Sequence, residues 1–126
     1  MSWPALFAVV CALAVPAWWI ALFQSAGVRH LFVPDEAWPA FRGLVLPDAV
    51  LTILTAVLAV RLSRGGASGT LAGLVCGAWA YATIYTIAWA RLAGAPLAGP
   101  LLMTAALAGF VAITYAQFST RPAGPR

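Results

Sequence analysis

The chain has 126 residues, 63% of them hydrophobic and 8% charged, with a net charge of +4 from seven arginines set against three acids. A soluble domain is about half apolar and about a quarter charged, so this composition excludes one. The mean hydropathy of +0.95 excludes disorder, and arginines scattered singly between apolar runs exclude nucleic-acid binding.

Charged side chains punctuate the chain. None occurs in 1–28, 49–60, 65–90 or 92–120, and each gap holds a stretch close to the roughly 20 residues a helix needs to cross a bilayer. The first segment is 3–23. It has no basic start, and its apolar run continues through Trp18, Trp19 and Phe23 beyond Ala12-Leu13-Ala14. It therefore reads as a retained helix rather than a cleaved leader. Pro16 inside it removes an amide donor, so a kink with space beside it is expected.

Residues 24–43 form a loop that interleaves apolar anchors with charges. Phe32, Trp38 and Phe41 suit the headgroup level, where amphipathic rings are favoured. Pro34-Asp35-Glu36 has the order of a short helix start with acids at its positive end, and Glu36 is also a candidate acid for chemistry. The second segment, 44–62, carries Asp48 about one turn inside its boundary. Two readings stand for Asp48: a structural carboxylate accepting from first-turn amides, or a functional group paired with Arg42 or Arg91.

The third segment, 69–89, continues a four-residue spacing that begins with Gly65: Gly69, Gly73, Gly77, then Tyr81, Tyr85 and Trp89. The glycines predict close helix packing inside the bundle; the alternative is a contact with another copy or another membrane protein through Gly69, Gly73 and Gly77. The rings predict a looser, aromatic-lined far end. Linkers at 61–69 and 93–100 are rich in Gly, Ser or Pro, so successive segments run antiparallel. The fourth segment is 97–118, followed by a polar tail, 119–126.

Arg61, Arg64, Arg121 and Arg126 place the 61–69 linker and the tail in the cytoplasm, and the N-terminus with them. The expectation is a single domain, 1–126: an all-α integral membrane protein, a four-transmembrane-helix antiparallel bundle with cytoplasmic termini, multi-pass in the cell's inner membrane. Cys11 and Cys76 fall at similar depths without a CxxC pair and read as small core hydrophobes. His30 with Asp35 or Glu36 repeats no metal-ligand spacing, and no motif calls for a cofactor.

Three functions fit. The first is binding of a hydrophobic or lipid-like small molecule in an outward-facing pocket, with Asp48 joined by Arg42, Trp38, Tyr81, Tyr85, Trp89 and Arg91. The second is an isoprenoid or lipid isomerase or cyclase with Asp48 or Glu36 as acid and aromatic faces stabilising positive charge. The third is a noncatalytic membrane-complex subunit or a small oligomeric transporter.

Overall fold

The computed structural model describes residues 2–66 and 68–119; Arg121 and Arg126, with the tail from 120 on, lie outside the described residues. The long helices are α1 (Trp3–Gln24), α4 (Val45–Ser63), α5 (Gly69–Ala93) and α6 (Ala98–Ser119). All four are long and apolar enough to cross a membrane, and the described residues contain no strand.

Local chemistry sets the helix ends. Ser2 caps α1 by accepting from the Ala5 amide at 3.4 Å, and Pro4 sits in the first turn, where its missing N–H costs nothing. Ser25 ends α1 and starts α2 (Ala26–Phe32), its hydroxyl accepting from the Val28 amide at 3.2 Å. Gly94, at φ +67°, closes α5 in a left-handed conformation, and the Ala95 amide bonds back to the Ala90 carbonyl.

The stretch read from sequence as a loop is mostly helical. After α2 come a 3-10 turn at Asp35–Ala37, α3 (Trp38–Phe41) and a second 3-10 turn at Arg42–Leu44 that leads into α4. Asp35 and Glu36 do lie at a short helical start. Arg29 fastens this lid: its guanidinium donates to the Leu22 carbonyl at 3.1 Å and lies 4.9 Å from the centre of the Trp38 ring.

Helix α1 packs mainly on α4 and α5 mainly on α6, with α4 against α5 joining the two pairs and α1 barely touching α6. Hydrogen bonds fix the register. Thr55 on α4 accepts from the Trp79 indole on α5 at 2.9 Å, and Thr83 and Thr114 tie α5 to α6 by donating to the Met103 and Ala72 carbonyls. Numbers rise along one helix as they fall along its neighbour, so adjacent long helices are antiparallel.

The glycine row does not pack inside the bundle. A Cβ added at Gly73 or Gly77 would meet nothing within 4 Å, and only Gly69 has a neighbour, the Phe118 ring. The inward face of α5 is instead Ala72, Val75, Trp79, Ala82 and Thr83. The close approach is made by Gly109 on α6: a Cβ there would overlap the Phe7 ring. That ring lies edge-on to Phe110, which stacks on Trp79 near the middle of α5 and α6.

Candidate functional site

Asp48 sits in the first turn of α4 but does not cap it; its side chain reaches sideways. One carboxyl oxygen accepts from the Trp19 indole N–H of α1 at 2.7 Å and the other from the Tyr85 hydroxyl of α5 at 2.5 Å. It is 7% exposed, the one buried acid or base among the described residues. Trp19 lies five residues before the end of α1 and Tyr85 eight before the end of α5, so the carboxyl is about 8–12 Å down those helices. That is deeper than the single turn read from α4 alone, because the lid adds helical turns before Val45.

Neither Arg42 nor Arg91 pairs with Asp48. Both are exposed, and the ion pair among the described residues is His30 with Asp35 at the surface, 2.7 Å apart. Two neutral donors from different helices take the place expected of an arginine. Glu36 is exposed on the lid. Tyr81 is 69% exposed and lies edge-on to Tyr85 on the outer surface of the bundle.

Above the carboxyl the lid rings form one aromatic cluster. Phe41, buried, stacks on Trp19 at 5.3 Å, contacts Trp89 at 4.4 Å and meets Trp18 edge-on at 5.9 Å. Trp38 packs on Phe23 and Phe41, and Phe32 on Trp18. Of the residues singled out from sequence, the structure thus gathers Asp48, Tyr85, Trp89 and Trp38 under and in the lid, and leaves Glu36, Arg42, Tyr81 and Arg91 exposed on the surface.

Beneath the lid is a cavity of about 340 Å³, at the lower end of the roughly 300–1,000 Å³ typical of small-molecule sites. Its walls are Cys11, Ala14, Val15 and Trp18 of α1 and Gly99, Leu102, Met103 and Ala106 of α6, with Asp48, Trp79 and Thr86 between them and Phe41 and Leu44 above. It occupies the space where α1 and α6, in contact mainly at Phe7 and Phe110, diverge toward the lid.

Two polar groups on this wall have no partner. The Trp18 indole nitrogen is buried with no hydrogen-bond acceptor. Thr52, Thr55, Thr83, Thr104 and Thr114 each donate to the carbonyl four residues earlier; Thr86, equally interior to its helix, does not. A buried unmatched donor costs about 1–3 kcal/mol, so an orphan N–H in a cavity wall points to an acceptor that arrives with a ligand. Sequence reasoning missed Trp18, Trp19 and Thr86 as site residues. The available signal was that an indole in an unbroken apolar run must find an acceptor.

Pro16 stands beside a second, wholly surface recess between α1 and α4, lined by Ile20, Phe23, Val45 and Ile53 among others. The cysteines are free thiols, Cys11 buried and Cys76 half-buried. The described residues hold no group of three or more His, Cys, Asp or Glu able to ligate a metal. Compared with models of known families, with curated proteins and with solved structures, the chain matches none of them.

Proposed function

We propose that the four long helices cross the cell's inner membrane with both termini in the cytoplasm, and that the chain binds an uncharged hydrophobic small molecule in the cavity beneath the aromatic lid. The observation that carries this reading is the pairing of an apolar chamber with an orphan donor: the Trp18 N–H takes an oxygen of the ligand, and Thr86 supplies a second polar contact. Asp48 is the anchor of the site. With both oxygens engaged by Trp19 and Tyr85, it fixes three helices around the chamber.

That engagement favours binding over isomerase or cyclase chemistry. An acid in such a reaction must face the substrate and give up a proton, whereas each oxygen of Asp48 already accepts a hydrogen bond from the protein, and Glu36 is on the surface.

Farnesol, an isoprenoid alcohol of suitable polarity, serves as the probe. Retention of labelled farnesol by the purified protein in detergent is expected to fall about tenfold in Trp18→Phe, the worth of one hydrogen bond of about 1.4 kcal/mol. Ala106→Phe, which fills the chamber, should abolish it while far-UV ellipticity is unchanged. Asp48→Asn should weaken retention more than it lowers folded yield. Undiminished retention in Ala106→Phe would refute the assignment of the cavity.

A further inference from the structure

The opposite end of the bundle holds a further recess, of about 500 Å³, lined by Arg61, Ser68, Thr70, Leu74 and Gln117 among others. It is independent of the lidded cavity. Helix α5 begins there, and Ser68 occupies its N-cap position without capping: the backbone, at φ −148° and ψ 40°, keeps the hydroxyl off the first-turn amides. The first N–H groups of the helix therefore receive nothing from the residue that normally serves them.

Ser68 is only 4% exposed, and its hydroxyl has no hydrogen-bond partner. Arg61, in the last turn of α4, folds back across the linker so that its Nε lies 3.7 Å from where a Gly66 Cβ would be. Among the described residues it has no acidic partner, since Asp35, Glu36 and Asp48 all lie at the lid end. A guanidinium, a buried unmatched hydroxyl and a positive helix terminus converge on one recess, and what satisfies all three is an anion with several acceptor oxygens.

The same face of α5 continues away from the recess at helical spacing as Thr70, Leu74, Gly77 and Tyr81. Leu74 and Tyr81 are exposed, and a Cβ at Gly77 would meet nothing within 4 Å. Gly77 leaves open space on this exposed apolar face, which leads from the recess into the depth that the helices span. We infer that this is a binding site for an anionic phospholipid: the phosphate sits on Arg61, Ser68 and the start of α5, and an acyl chain lies along Leu74, Gly77 and Tyr81. The glycine that contributes nothing to packing within the bundle thereby acquires a use.

The full chain in nanodiscs of equal phosphatidylglycerol and phosphatidylcholine, released and examined by native mass spectrometry, reads this directly. Phosphatidylglycerol is expected to stay bound in preference to phosphatidylcholine. Arg61→Gln should lower its retention about tenfold, the loss of one charge-assisted hydrogen bond, with partial rescue in Arg61→Lys. Ser68→Ala and Gly77→Leu should each weaken it. Arg64→Gln, at an exposed arginine that does not line the recess, should leave retention unchanged. Equal losses in Arg61→Gln and Arg64→Gln would mean diffuse attraction and overturn the site. Displacement of the lipid by millimolar inorganic phosphate, with Gly77→Leu inert, would make it a free-phosphate site and overturn the lipid assignment.

Discussion

Removing the Asp48 carboxyl and the Tyr85 hydroxyl, singly and together, measures how strongly the site clamps the bundle. Hydrogen bonds to charged groups contribute about 1.5–3 kcal/mol in soluble proteins. In membrane proteins double-mutant cycles average about 0.6 and reach about 1.7 kcal/mol, because the unfolded chain in lipid also finds partners. Here the bond is 2.5 Å long and its acceptor is 7% exposed, which places the coupling near the upper end, about 1.5 kcal/mol. Asp48→Ala additionally strands the buried Trp19 N–H and should cost about 2–4 kcal/mol in all. Tyr85→Phe alone should cost about 1.5 kcal/mol, and almost nothing once Asp48 is alanine. Reversible unfolding by dodecyl sulfate in mixed micelles, followed by ellipticity, supplies the four stabilities. Additivity of the two substitutions to within about 0.4 kcal/mol would show that the carboxyl does not hold Tyr85.

Three further outcomes follow from the packing. Thr55→Val keeps the side-chain shape but strands the Trp79 indole, and should cost about 1–3 kcal/mol in the same assay; Thr52→Val, which loses only a bond to its own helix, should be nearly neutral. Gly109→Ala drives a methyl into the Phe7 ring and should destabilise by about 1–3 kcal/mol, relieved when combined with Phe7→Leu. For orientation, cysteines introduced at Glu36 and Arg64 in a Cys11→Ala, Cys76→Ala background should react with an impermeant maleimide from opposite sides of the membrane, and reaction of both from the same side would refute the proposed crossing.

The four long helices were legible in the sequence because charge marks their ends: the expected 44–62 and 97–118 differ from Val45–Ser63 and Ala98–Ser119 by one residue at each end. Which way each helix faces was not legible. A polar stripe normally reports a helix's rotation, and α1 has none, being apolar on every side. The need of the Trp18 and Trp19 indoles for an acceptor was visible, but not which way either ring faces. The glycine row misled for a related reason: small residues permit close packing without saying whether a neighbour lies on that side, and for Gly73 and Gly77 none does. Asp48 stood out because an acid in an apolar run needs partners. Its partners proved to be an indole and a phenol brought in from helices far along the chain, which no local pattern encodes.

The arrangement of α1 on α4 and α5 on α6 makes the molecule two half-proteins, joined covalently only through the linker after Ser63. Lipid tails solvate apolar faces almost as well as leucine does, so greasy contact alone would let either half mate indiscriminately. Asp48 with Tyr85 and Thr55 with Trp79 both cross that junction, and they act as a two-point code by which one half recognises the other. A chain severed between residues 63 and 69 should accordingly reassemble from its separately made pieces, and lose that ability when the code is erased.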